Sequence, residues 1–249
     1  MKNIVKTILG IVFSSLFFLV FTGNAHAESA SKLMPDSNHV ILTDKANILN
    51  KTTGNLVTKQ EDAFSKMDKH PQVAVVTIKS SNGEDLNDYI EKMTDNGYWS
   101  VGQKGEDNGV IILFAKNGGS NNVYIATGKQ AEVYLTDSQT QDILQKNKKL
   151  LKSSNNSDVN KGIQNTFKSV VDNTNKFYNL TPSEQKKQVK EYNKRETRTV
   201  IFVIILIIIL VSVFAFLGIG GVFIGGDFGG SDGGGSFGGG GFGGGGSGI

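Results

Sequence analysis

Gly109-Val110-Ile111-Ile112-Leu113-Phe114-Ala115 is a run of seven small or apolar residues, closed by Asp107-Asn108 before it and by Lys116-Asn117-Gly118-Gly119 after it. Its length suits a strand, it is short for a helix, and turn residues mark both ends. A strand with no alternating polar residue is covered on both faces. Two covers imply helices above and below a sheet, so this segment sets the class: a three-layer α/β/α sandwich with a mixed sheet.

Upstream, Val73 to Ile78 is a β-branched run of strand length, and Val40-Ile41-Leu42 is a shorter one. Between them, Leu56, Val57, Ala63, Phe64 and Met67 share a helical face. Ser81-Asn82-Gly83-Glu84 reads as a capping box before Leu86, Tyr89, Ile90 and Met93, which recur at helical spacing. Downstream, Asn117 to Asn121 is a turn and Val123 to Thr127 returns as the next strand. Thr136-Asp137-Ser138-Gln139 is another capping box, opening a helix with Ile143, Leu144, Leu150 and Leu151 on one side. Val159, Ile163, Phe167, Val170, Val171, Thr174 and Tyr178 mark a long last helix of the domain. The order β-α-β-α-β-β-α-α predicts parallel pairing of the first three strands through right-handed crossovers, then a hairpin that leaves one antiparallel edge.

Composition divides the 249 residues sharply. Of 31 glycines, 19 lie between Gly218 and Ile249, so the bulk figures describe no single segment. Residues 28–183 hold 18 basic and 18 acidic side chains, and this neutrality argues against a nucleic-acid partner, which needs a concentrated basic face. With no cysteine, disulfide scaffolds, thiol nucleophiles and Cys-ligated metals are excluded.

Two apolar segments frame the middle. Lys2 and Lys6 precede the run Ile8 to Phe21, and Ala25-His26-Ala27 supplies the small residues of a cleavage site, so 1–27 reads as a signal peptide. Residues 28–37 read as a linker, 38–180 as one extracytoplasmic α/β domain, 181–198 as a charged helical stalk, 199–221 as a transmembrane helix and 222–249 as a disordered Gly/Phe-rich tail. Val200 to Leu217, apolar except for Ser212, is the membrane contact. Thr181-Pro182-Ser183-Glu184 is a capping box with proline in the first turn, from which a helix runs without a break into the span. The signal exports the domain and leaves the tail cytoplasmic, although the basic flank Lys186 to Arg198 then lies outside, against the positive-inside rule. Anionic headgroups attract that flank.

Topology brings Asp107-Asn108-Gly109, at the start of the third strand, beside Thr127-Gly128, at the end of the antiparallel fourth. The helix opened by Thr136-Asp137 begins near the same rim and offers free N–H groups, while the glycines allow close backbone approach. Asp44 follows the first strand. Oxygen donors without Cys or His suit a hard cation, Ca²⁺ or Mg²⁺. Each acid also has a plain structural reading: Asp107 as a turn residue, Asp137 as a helix first-turn acid and Asp44 as a loop acid. Gly109, Thr127, Gly128 and Lys129 adjoin the rim, and Lys129 is placed to pair with an anionic ligand. The opposite rim carries Ser80-Ser81-Asn82-Gly83, largely explained by capping. His39 and His70 sit in no nucleophile motif, and no GK[ST] loop occurs. Tyr98-Trp99 reads as packing at the edge of the core.

Asp107-Asn108-Gly109-Val-Ile-Ile-Leu-Phe, then Ile125-Ala126-Thr127-Gly128 and Leu135-Thr136-Asp137, resembles the TPM domain family, as do Leu42-Thr43-Asp44 with Ile48-Leu49 and Trp99-Ser-Val-Gly102. The resemblance covers about 40–178, and the order of signal peptide, domain, span and glycine-rich tail is similar to the YgcG type of bacterial member. It implies an α/β sandwich and, in some members, divalent cation binding with acid phosphatase activity, while others assist assembly of membrane complexes. Carried over by motif position, Asp44, Asp107, Asn108 and Asp137 are the implied metal ligands. The family usually shows Gly-x-Gly at the end of the fourth strand, whereas Ala126-Thr127-Gly128 keeps one glycine, and the bulkier Thr127 narrows the site. The expected function is therefore a membrane-anchored, cation-binding module that supports envelope proteins. The alternative is a metal-assisted phosphatase acting on phosphomonoesters, for which no general base or nucleophile stands out.

Overall fold

The computed structural model describes residues 29–36, 41–216 and 245–249. The signal segment, His39 and Val40, the end of the expected span and most of the glycine-rich tail lie outside these residues.

Strand β3 (Gly109–Ala115) is buried along its whole length and forms the centre of a five-stranded mixed sheet in the order β1-β2-β3-β4-β5. β1 (Leu42–Asp44) and β2 (Gln72–Ile78) pair parallel with their neighbours, and β4 (Asn122–Thr127) pairs antiparallel with β3. The register Val110↔Thr127 and Gln72↔Gly109 aligns the start of β3 with the end of β4 and the start of β2. Alternation sorts the side chains: Val73, Val75, Val110, Ile112 and Phe114 enter one core, and Ala74, Val76, Ile111 and Leu113 the other. The first core is closed by α1 (Lys51–Phe64), α3 (Asp137–Leu151) and α4 (Asn156–Tyr178). The second is closed by α2 (Leu86–Thr94), Trp99, Val101 and the segment around Ala30 and Leu33. This is the three-layer sandwich expected from β3.

Local details depart from the sequence reading. β1, β2 and β3 advance in one direction, yet α1 and α2 lie on opposite faces, so the two crossovers have opposite hands and only one is right-handed. The buried Asn160 amide holds α1 on the α4 face: its oxygen accepts from Asn50 N–H at 3.1 Å and from the Thr53 hydroxyl at 2.6 Å. Ser81 does not cap α2, because Asn82 and Gly83 turn into positive φ; Asp85 caps instead, accepting from Asn87 N–H at 2.8 Å. The capping box at Thr136 and Gln139 is complete. Residues 29–36 are more than a linker: Trp99 is 1% exposed and its indole N–H donates to Leu33 C=O at 2.8 Å.

α5 (Pro182–Phe216) runs unbroken for 35 residues, its first turn capped by Thr181 and Glu184 as expected. Residues 182–213 form one helix long and apolar enough to cross a membrane, with mean hydropathy 2.4 over its most apolar window and exposed side chains throughout that window. The tail differs from its expected disorder at its end. Gly246–Gly248 is strand β5, antiparallel to β4, and Ile249 packs against the α3/α4 core. A single crossing by α5 would place this end across the bilayer from the domain, so crossing and pairing exclude each other in one molecule.

A Cβ on Gly109 would lie 2.1 Å from Val101 C=O, while one on Gly54 in α1 would meet nothing closer than Leu42 Cδ2 at 3.5 Å. Thermal unfolding should therefore separate two alanine substitutions of the full chain. Gly109→Ala is expected to lower stability by about 3 kcal/mol, and Gly54→Ala to raise it by about 0.5 kcal/mol through helix propensity.

Candidate functional site

The amino rim of β3 is built by close approach of backbone. Gly128 N–H donates to Gly109 C=O at 2.8 Å, and Gln130 N–H to Asp107 C=O at 3.0 Å. A Cβ on Gly128 would fall 2.3 Å from that same Asp107 oxygen. Asp107 takes φ 51°, turning the chain from the 101–107 loop into the strand. Next to it, Asn108 is fully buried and its amide is committed: Oδ1 accepts from Gln103 N–H at 2.9 Å, and Nδ2 donates to Lys69 C=O at 2.5 Å and to the Tyr178 hydroxyl at 3.1 Å. A nitrogen that faces two acceptors fixes the orientation of the amide, so its oxygen belongs to the loop.

The four sequence-chosen oxygen donors do not converge. Asp107, Asn108, Gly109, Thr127 and Gly128 share the rim, with Lys129 exposed just beyond it. Asp44 is at the other end of the sheet, since its register partner Thr77 pairs in turn with Phe114 and not with Gly109. Its carboxylate is a cap: Oδ1 accepts from Ile48 N–H at 3.1 Å and the Thr77 hydroxyl at 2.5 Å, and Oδ2 from Leu49 N–H at 2.9 Å. Among the described residues no three His, Cys, Asp or Glu side chains group to hold a metal ion. A Ca²⁺ site asks for six to eight oxygens, so the set Asp44, Asp107, Asn108 and Asp137 does not fit one cation.

Beside Asp137 stands an acid the sequence reading missed, Glu132. Both carboxylates face Gly245: a Cβ there would lie 2.1 Å from Asp137 Oδ1 and 2.5 Å from Glu132 Oε1. Burial pushes the Glu132 carboxyl above the ordinary range, and Asp137 adds to this, while hydrogen bonds from the Tyr192 hydroxyl of α5 and from Gly245 N–H oppose it. Tyr124 is pushed up to about 12, by burial first and then by Asp137. Glu132 follows the strand in a short 3₁₀ turn, Ala131–Val133, and no motif marks it; only its meeting with Tyr192 and Gly245, distant in sequence, gives it a place. A cavity of about 480 Å³ opens between the domain and the root of α5, with Lys69, Lys186 and Lys190 on its walls and Phe177 and Tyr178 among its lining residues.

The TPM domain model matches residues 42–173, more than half of the chain and the whole sheet except β5. The chain belongs to the TPM domain family. A search of the curated proteins finds no match. Among solved structures, the solution NMR structure of the N-terminal domain of a protein from P. gingivalis is similar at 20% identity and a TM-score of 0.43, covering 54% of this chain and 81% of that one. The family match includes Asp107, Asn108, Gly109, Thr127, Gly128 and Asp137, so the backbone rim belongs to the matched domain, whereas Tyr192 and Gly245 lie beyond it.

The bonding separates two roles. Asn108→Ala leaves Lys69 C=O and Gln103 N–H without their buried partner and should cost about 3 kcal/mol. Asn108→Asp turns a carboxylate oxygen toward Lys69 C=O and should cost more. Asp44→Asn should lower the thermal midpoint by several degrees while leaving any response to Ca²⁺ or Mg²⁺ unchanged. A cation response that vanishes with Asp44 alone would restore it as a ligand.

Proposed function

We propose that this TPM-family protein is a membrane-anchored module whose folded domain stands outside the cytoplasm and supports the assembly or maintenance of other envelope proteins by contact. The observation that carries this reading is α5. Its root is capped at Thr181, leans on the domain through Val189 and Tyr192, and continues without interruption into an apolar half. An unbroken helix rises about 1.5 Å per residue, so the stretch from Tyr192, which still bonds Glu132 of the domain, to Arg198 leaves that contact roughly 10 Å above the apolar segment. That stand-off suits a module that meets the exposed parts of neighbouring membrane proteins. Lys186 and Lys190, on the cavity at the root, bring positive charge to the side that faces the bilayer. Export of the domain rests on the leader-like residues 1–27.

Metal-assisted phosphatase chemistry is the second reading and has less support. It needs a cation to neutralise phosphate charge and activate water. Asp44 lies at the opposite end of the sheet from Asp107 and Asn108, so these donors cannot share one cation.

Two measurements on the full chain test this choice. Deleting Val200–Val213 should move the protein from the alkali-resistant membrane fraction to the soluble fraction; retention in the membrane would contradict anchoring by α5. With a generic phosphomonoester and millimolar Mg²⁺ or Ca²⁺, hydrolysis should stay at background and the thermal midpoint should shift by less than about 1 °C. Turnover lost in Asp107→Asn would overturn the order of the two readings. A midpoint rise of several degrees, abolished by Asp107→Asn or Asp137→Asn, would reinstate the cation.

A further inference from the structure

β4 is a strand whose outer edge is made to receive a particular extended segment. Its outward backbone groups are taken by the last five residues: Val123 and Ile249 exchange N–H···O=C bonds at 2.9 Å in both directions, and Thr127 N–H donates to Gly245 C=O at 3.1 Å. Side chains add to this ladder. The Thr127 hydroxyl donates to Gly245 C=O at 2.8 Å, the Ser247 hydroxyl donates to Asp137 C=O at 2.8 Å, and Gly245 N–H donates to the Glu132 carboxylate. The two faces of the incoming strand meet different surfaces. Ser247 and Ile249 turn toward α3 and its core, and Gly246 and Gly248 lie on the Tyr124 ring. A Cβ on Gly246 would come within 2.4 Å of Ile125 C=O and 2.6 Å of Tyr124 Cε1, and one on Gly248 within 2.8 Å of Tyr124 Cδ2. The groove therefore selects glycine, any small hydroxyl residue, glycine, then an apolar residue, which is the order Gly246-Ser247-Gly248-Ile249.

We propose that the edge of β4 is a docking site for this chain's own segment Gly245–Ile249, bound within the same molecule by strand addition. The connecting residues 217–244 number 28, a reach of up to about 90 Å at extended spacing, while α5 is about 52 Å long, so the end returns to β4 without strain on its length. Docking sets Gly245 against the Asp137 and Glu132 carboxylates and removes the unpaired edge that would otherwise invite another chain. It also requires that the end has not been carried across a bilayer by α5, so docked and crossed forms are alternative states of one molecule. Thr127 donates twice to Gly245 C=O, through its N–H and its hydroxyl.

The chain lacks cysteine, which makes the contact directly testable. Tyr124 and Gly248 are register partners on β4 and β5. In detergent-solubilised full chain, Tyr124→Cys combined with Gly248→Cys should oxidise to an intramolecular disulfide in more than half of the molecules. Adding Gly246→Val should reduce that yield at least fivefold. No disulfide, or a disulfide found only in dimers, would overturn docking within one molecule. A cysteine-free check guards against distortion by the pair: deleting Gly245–Ile249 should speed hydrogen exchange at Val123 and Thr127 at least tenfold, with β3 amides unchanged. Equal exchange with and without the segment would also overturn the proposal.

Discussion

At the amino end of β3 three stretches of backbone meet with no space for a side chain between them. Val101 C=O closes on Gly109, and Asp107 C=O closes on Gly128. The cost of a misplaced atom there is steric and immediate, so the crossing admits almost no variation in how the 101–107 loop, β3 and the end of β4 sit together. The register of β3 with β4 follows, because Gly128 N–H must reach Gly109 C=O. The buried amide of Asn108 then extends the lock to Lys69 and, through the Tyr178 hydroxyl, to the end of α4. From Tyr178 the chain needs only a short turn to Thr181, so the position of the stalk is inherited from the same crossing.

This arrangement gives the Asp-Asn-Gly stretch a physical meaning apart from ligand binding. Asp107 supplies a positive-φ turn and a carbonyl for Gln130 N–H, Asn108 an internal clamp, and Gly109 the gap through which the loop passes. Asn108 and Gly109 are demanded by construction of the rim, and position 107 by its positive φ asks for a residue that tolerates that conformation. Outward of it, the acidic pair Glu132 and Asp137 and the edge of β4 receive the chain's own last residues, and the lysine-lined cavity at the root of α5 stays open to solvent. Glu132 and the cavity both lie where the domain meets α5.

The sequence disclosed those features whose cause is local. The seven-residue run of β3, the capping boxes at Thr136 and Thr181, and the apolar half of α5 each carry their reason within a few neighbours. Features caused by distant residues stayed hidden. Asp44 has causes of both kinds: Ile48 and Leu49, whose N–H groups it accepts, are close in sequence, but the Thr77 hydroxyl that completes its bonding comes from β2 and no local pattern announces it. The hand of one crossover depends on Asn160, more than 100 residues from the helix it holds. β5 was invisible because glycine has poor strand propensity, and its place is decided by Tyr124 and Thr127 on the receiving strand.

Hydrogen exchange of the wild-type full chain tests the primacy of the crossing most directly. Amides in loops ordinarily exchange through small local openings, many orders of magnitude faster than those in a buried central strand. If the crossing holds the domain together, Gly128, Gln130 and Gln103, all outside regular strands, exchange only through global unfolding, at the same free energy as Ile111 and Leu113 of β3. Exchange of these three amides through local openings, well below the free energy shown by β3, would contradict the account.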